Sequence, residues 1–175
     1  MATTKNIGLA YVYLDYKDQS YQSVSNIVAS LLKQLTIRVE NSIEALYPLY
    51  RQYCENRENL SVSEILESIV LFTGRFSSTF FILDALDEFQ EDQQLELLRI
   101  TRQILDNGVS VKLFATSRPH LRGVQEFFEK SPTISIIADM EDLRNYMTRK
   151  VEGRPLHGRL RNKIVDTLSN RAQGV

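Results

Sequence analysis

Three short apolar runs constrain this chain more than any other feature. IGLAYVYL (7–14), TFFILD (79–84) and VKLFAT (111–116) are built largely of aliphatic, aromatic and β-branched residues. None shows the strict polar–apolar alternation of a strand with one wet face. Runs of this kind suit parallel strands, whose sheets are covered by helices. Between them, apolar residues recur at helical spacing. Ser23 precedes Val24, Ile27, Val28, Leu31, Leu32 and Leu35. Ser61 and Glu64 make an S-x-x-E capping box ahead of Ile65, Leu66, Ile69 and Val70, which predicts a helix from about Ser61 to Gly74. Leu97, Ile100, Ile104 and Leu105 mark a further helix, stopped at Asn107–Gly108. This alternation predicts an α/β layered domain with a mainly parallel sheet.

The remaining segments are less regular. Residues 43–53 look helical, but Pro48 should break or kink the element. ISIIA (134–138) predicts a last short strand, and Asp139 should cap a helix holding Leu143, Tyr146, Met147 and Val151. Gly153 and Pro155 punctuate, and Leu160, Ile164 and Leu168 trace a final helix. There is no internal repeat and no low-complexity tract.

Composition excludes several classes. The 175 residues, 43% hydrophobic and 25% charged, are enough for one domain with a full core. A net charge of −1 supplies no global basic field, so a nucleic-acid partner is not expected. The basic stretch Arg149, Lys150, Arg154, Arg159, Arg161 and Lys163 has no interleaved aromatics of the stacking kind and reads as a solvated helix face. One cysteine, Cys54, rules out an internal disulfide and has no His or Cys spacing for zinc. The N-terminus lacks the basic start and apolar run of a leader peptide, and no apolar run approaches the roughly 20 residues that span a bilayer. The reading is a cytoplasmic protein with no membrane partner.

The candidate site lies where the apolar runs end. In open α/β sheets, ligands bind beyond the carboxyl ends of the strands. Asp15, Asp84 and Thr116 sit at those ends, and Asp87 and Glu88 follow one turn after Asp84. Mg²⁺ takes oxygen ligands, often one or two carboxylates with waters and phosphate oxygens. Phosphoryl chemistry also needs a polar group that positions the attacking water. Arg118, just past Thr116, suits contact with a γ-phosphate. Blander roles exist for each residue. Asp87 and Glu88 suit the first turn of a helix, Asp84 the cap of a turn, and Arg118 a solvated turn before Pro119. Asp15 either joins the metal site or caps the turn into YKDQS. His120 reads as an exposed loop residue, and His157 lies far from these motifs in sequence.

FFILDALDEF resembles the Walker B segment of the NACHT family, within the STAND class of P-loop nucleoside triphosphatases. Phe80–Leu83 match the apolar run, Asp84 the Mg²⁺-associated acid, and Asp87 and Glu88 the acidic pair linked to hydrolysis. Ala85 stands where Gly is usual. LFATSRPH resembles the sensor 1 strand, with Arg118 at the sensor position, and ISIIADMEDLRNYMTRKV resembles the segment that closes the nucleotide-binding core. The chain has the look of the fungal type, in which ankyrin or WD repeats follow.

The resemblance implies a partial P-loop NTPase domain, a three-layer α/β/α sandwich lacking its first strand and P-loop. Residues 1–152 would be the partial core and 153–175 the start of the following helical region. Asp84 would hold Mg²⁺, Asp87 and Glu88 would be catalytic, and Thr116 and Arg118 would contact ATP or ADP. Protein partners would come through flanking modules. The departure is the phosphate cradle: no G-x-x-x-x-G-K-[ST], and no Gly-Lys pair, occurs in the 175 residues. The first strand and P-loop are therefore expected upstream of Met1, with this chain inactive as an NTPase alone. Open strand edges would leave it marginal or prone to aggregation. Three functions stand: a segment of a nucleotide-dependent switch, a nucleotide-free interaction or scaffold segment, and, ranked last, a metal-dependent phosphohydrolase using Asp15, Asp84 and Asp87.

Overall fold

The three apolar runs form one parallel sheet in the order β1–β2–β3: β1 Ile7–Tyr13, β2 Ser78–Asp84 and β3 Val111–Ala115. The computed structural model describes residues 6–18, 21–39, 42–56, 60–119, 121–136, 139–154 and 157–171. Seven helices lie among these residues: α1 Val24–Thr36, α2 Ser42–Asn56, α3 Val62–Thr73, α4 Glu91–Asn107, α5 Arg122–Phe127, α6 Met140–Val151 and α7 Gly158–Arg171. The chain is α/β, with a small parallel sheet compatible with a Rossmann-like layout.

Two compact units result, Met1–Lys130 and Ser131–Val175. The division into 1–152 and 153–175 rests on resemblance, a different criterion from compactness.

In the first unit the helices begin where their caps dictate. Ser23 Oγ accepts from Asn26 N at the start of α1. At α3, Ser61 and Glu64 complete the capping box in both directions. α4 stops at Gly108. The chain crosses from β1 to β2 through α1–α3 and from β2 to β3 through α4, moving one way across the sheet. Right-handed crossovers made in one direction put their helices on one face. On that face Ala10 aligns with Phe81 and Leu113. Ala10, Phe81 and Leu83 are buried in one core with Val28, Leu31 and Leu35 of α1, Ile69 and Phe72 of α3, and Leu97 and Ile104 of α4. Alanine apart, each such aliphatic or aromatic burial contributes on the order of 1.5–3 kcal/mol.

The opposite face carries exposed Tyr11, Tyr13 and Phe114. Within this unit, then, the architecture is two layers rather than the expected three, because three strands laid down in one direction supply helices to one side only.

Two local readings need adjusting. Of the two outcomes expected at Pro48, a break or a kink, the break does not occur: α2 runs from Ser42 to Asn56 with the proline inside. Pro48 lacks only the N–H that would reach back to Glu44, and its position is exposed, so water can satisfy the carbonyl left over. ISIIA is not a strand over residues 134–136, which pair with nothing, and Ile134 and Ile136 are 84% and 90% exposed. Ile137 and Ala138 lie outside the described residues. A β-branched run becomes a strand only where a neighbour accepts its hydrogen bonds, and among the described residues no further strand lies along β3. The short helix α5 was not anticipated. It packs against α4, where Arg102 Nη2 donates to Phe127 O at 3.0 Å.

In the second unit α6 and α7 pack together. Asp139 caps α6 as expected, its carboxylate accepting from Glu141 N at 2.7 Å. Gly153, at φ +82°, takes the left-handed conformation just past the helix. Arg144 pairs with Asp166 between the two helices, and Val165 and Ser169 of α7 are buried. Among the described residues, no helix is long and apolar enough to cross a membrane.

Candidate functional site

β2 ends at Asp84, and the chain then turns sharply. Ala85 takes φ 57° and ψ 51°, the left-handed region, and a 3-10 turn follows over Leu86–Glu88. Glycine adopts that conformation without the Cβ clash that alanine meets. Leu86 is fully buried and anchors the turn, which leaves the flanking acids at the sheet's carboxyl edge.

Thr116, just past β3, organises the turn. Its N–H donates to Leu83 O at 3.0 Å, and its carbonyl accepts from Leu86 N at 2.9 Å. Its hydroxyl donates to Asp84 Oδ1 at 2.5 Å and accepts from Ala85 N at 2.8 Å. Asp84 Oδ2 accepts no hydrogen bond from the described residues.

Asp87 belongs to Arg118. Its Oδ1 accepts from Arg118 N at 3.1 Å, and its Oδ2 lies 3.2 Å from Arg118 Nε. The Asp87 side chain is only 10% exposed, whereas that of Arg118 is 69% exposed, so a covered carboxylate holds a guanidinium that reaches into solvent. Glu88 points elsewhere: its Oε2 accepts from Tyr16 N at 3.4 Å, in the loop after β1. The structure thus pairs Asp84 with Thr116 and Asp87 with Arg118 across adjacent strands, and ties Glu88 to the β1 exit.

Asp15 stands apart from these pairs. Its Oδ1 accepts from Lys17 N at 2.9 Å, closing the turn into YKDQS. Among the described residues, no three His, Cys, Asp or Glu side chains gather as a metal cage. What Asp84 offers a cation is the oxygen that Thr116 leaves open. That fits a Mg²⁺ ion whose other ligands are phosphate oxygens and water, and does not fit a cation held by protein alone.

Sequence reasoning missed Gln94. It is 3% exposed, and its Nε2 donates to Leu86 O at 2.6 Å, bracing the acid turn from α4. The signal was present: Gln94 stands three and four residues before Leu97 and Leu98, inside the apolar stripe, where a polar side chain needs a partner. The Tyr16 N–H left no such trace. Cys54 and His157 are exposed, and His120 lies outside the described residues. Arg149, Lys150, Arg154, Arg159 and Lys163 are exposed, as befits a solvated face, and Arg161 is half-buried.

Compared with known families, residues 1–118 of the 175 match the family model described as Nephrocystin 3, N-terminal. The matched stretch takes in all three strands and ends on Arg118. The matching model is not a NACHT one. No curated protein matches the chain.

Proposed function

The chain belongs to the Nephrocystin 3 N-terminal family, and on that footing we propose that it forms the Walker B and sensor portion of a nucleotide-dependent switch of the NACHT type. One observation carries this reading. Arg118, at the end of one strand, is bonded through both its backbone N–H and its guanidinium to Asp87, in the acid turn of the neighbouring strand. In phosphoryl transfer a residue that reads a terminal phosphate acts beside one that orients water, and the Arg118–Asp87 contact supports giving the two residues these tasks.

Each residue then has a task. Asp84, steadied by Thr116, presents one carboxylate oxygen to the metal–phosphate group. Mg²⁺, when bound, would neutralise charge on the β and γ phosphates. Arg118 exposes the rest of its guanidinium to a terminal phosphate, and drawing it there loosens its hold on Asp87. Asp87 is then free to orient water, while Glu88 couples the turn to the loop after β1 through Tyr16. Loss of the terminal phosphate returns Arg118 to Asp87. Two states of one ion pair suit a switch better than a fast hydrolase.

The test uses a version of the chain extended with a G-x-x-x-x-G-K-[ST] segment ahead of β1, and this extended protein should bind ATP more tightly with Mg²⁺ than without. Asp84→Asn should remove the Mg²⁺ dependence, and Arg118→Ala should remove any preference for ATP over ADP. An extended protein indifferent to Mg²⁺ and to the third phosphate would overturn the proposal.

A second reading has its own support. No Gly-Lys pair exists in these residues, and the sheet keeps a bare aromatic face. Both favour a nucleotide-free interaction segment, which predicts no nucleotide binding by chain or extended chain. The phosphohydrolase reading is disfavoured by geometry, since Asp15 closes its own turn and Asp87 is held by Arg118.

A further inference from the structure

The second unit is polarised in charge along its helix pair. Only the six residues 152–157 join α6 to α7, which pack together, and so short a connection makes neighbouring helices antiparallel. The Arg144–Asp166 pair fits that direction, since Arg144 stands seven residues before the end of α6 and Asp166 eight after the start of α7. Three of the unit's five acids, Asp139, Glu141 and Asp142, lie at the cap and first turn of α6, the open end. Six of its eight Lys and Arg, namely Arg149, Lys150, Arg154, Arg159, Arg161 and Lys163, gather around the connection, where Glu152 is the acid among them.

Exposure by itself fits a solvated face. The surroundings of these cations ask for more. None of the six forms an ion pair with a described residue. Lys150 instead lays its ammonium over the Tyr146 ring, 5.4 Å from the centroid. α7 also opens against its own dipole: its first turn holds no acid, and it does hold Arg159 and Arg161. Cations there meet the positive end of the helix, so they work against the element that carries them. Arg161 Nε is buried without a hydrogen-bond partner, so the fold gains no polar contact from it either.

Apolar side chains stand open beside the charges. Leu160, between the two arginines, is 48% exposed, and Tyr146 is 55% exposed. A nucleic-acid backbone would satisfy the cations but not Leu160, and no Phe, Tyr or Trp lies between Arg149 and Lys163 for a base to stack on. A lipid surface suits both kinds of group, with anionic headgroups for the cations and an acyl boundary for the leucine.

We propose that the basic end of the α6–α7 hairpin is a contact for an anionic phospholipid surface. The cations meet headgroup phosphates and carboxylates, and clusters of about four to eight Lys and Arg are enough for such attraction. Leu160 enters the boundary beneath them, and Tyr146 settles at headgroup level, where its ring is covered and its hydroxyl stays wet. The contact needs no spanning helix and uses none of the strand-end residues of the first unit.

Flotation of the full chain with lipid vesicles tests this, because floating separates bound chain from self-associated chain. The chain should float with phosphatidylcholine vesicles that contain phosphatidylserine and stay down with phosphatidylcholine alone, and added salt should release it. Arg159→Gln/Lys163→Gln, which changes only exposed side chains, should weaken binding roughly thirtyfold. It should not lower the thermal midpoint, because Arg159 opposes the α7 dipole. Leu160→Ser should weaken binding and leave its salt dependence as it was. A chain that binds no vesicle, that binds neutral and anionic vesicles alike, or whose double variant binds like the parent overturns the proposal. So does a Leu160→Ser chain that binds as tightly as the parent and is stripped from the vesicles by a single-stranded oligonucleotide, a result that would assign the cations to nucleic acid.

Discussion

Thr116 Oγ1 stands between Asp84 Oδ1, at 2.5 Å, and Ala85 N, at 2.8 Å, so one hydroxyl on β3's exit sets both the carboxylate that ends β2 and the turn that follows. Thr116→Val keeps the shape of the side chain and removes both bonds. Two partly buried polar groups lose their partner, at a cost of about 1–3 kcal/mol. Urea unfolding should show a lower midpoint at unchanged slope. An unchanged midpoint would mean that water replaces the hydroxyl and that Thr116 does not organise the site.

Ala85 is the one residue of the acid turn held at positive φ. Alanine there costs roughly 1–2 kcal/mol relative to a right-handed conformation, and glycine does not meet that cost. Glycine's greater freedom in the unfolded chain offsets part of the gain. Ala85→Gly should therefore raise stability by somewhat under about 1 kcal/mol, read as a higher thermal midpoint. A destabilised variant would show that the turn is not strained.

Gln94 reaches from inside the apolar stripe of α4 to Leu86 O. Gln94→Leu suits the stripe but leaves a buried carbonyl unpaired, costing about 1–3 kcal/mol. The acid turn should loosen with it. Amide exchange at Glu88, whose N–H bonds Ala85 O at 2.9 Å, should quicken more than exchange in the middle of β2. Uniform quickening would assign Gln94 to general stability.

Thr79 lies wholly buried in the middle of the sheet, and its hydroxyl has no hydrogen-bond partner. Thr79→Val replaces that hydroxyl with a methyl of similar size. Removing an unsatisfied buried polar atom should stabilise the protein by about 1 kcal/mol, measured as a higher denaturant midpoint. A loss of stability would point to an unseen partner for the hydroxyl.

Gly108 ends α4 at an ordinary negative φ, so its need for glycine is one of space. A Cβ would lie 2.6 Å from Ile104 O and 2.5 Å from Val111 Cγ2. The first is backbone and cannot yield cheaply. Gly108→Ala should cost about 1–3 kcal/mol, whereas Gly158→Ala, with open space around it, should cost far less. Equal effects in thermal melts would refute the steric account.

Much of the fold was legible in short stretches. The strands are recognisable from their composition. Ser23, the Ser61–Glu64 box and Asp139 mark helix starts because a cap is a contact within three or four residues. The strand-end acids and Arg118 were legible as candidates because they sit at the ends of such runs. Less visible was which acid would take which partner. Glu88 looks equivalent to Asp87 in the sequence, yet Asp87 pairs with Arg118 and Glu88 reaches the β1 exit. ISIIA has a strand's composition, yet its described residues find no neighbour.

By itself, the sequence determined the three strands, the capped helix starts and the α/β class, because propensity, periodicity and capping are settled within a few residues of chain. The tertiary structure alone decided that the first unit's helices share one face and that Thr116 and Arg118 divide the acids between them. Each of those outcomes depends on strand order and register, which bring residues far apart in sequence within hydrogen-bonding distance, and no local pattern encodes that distance.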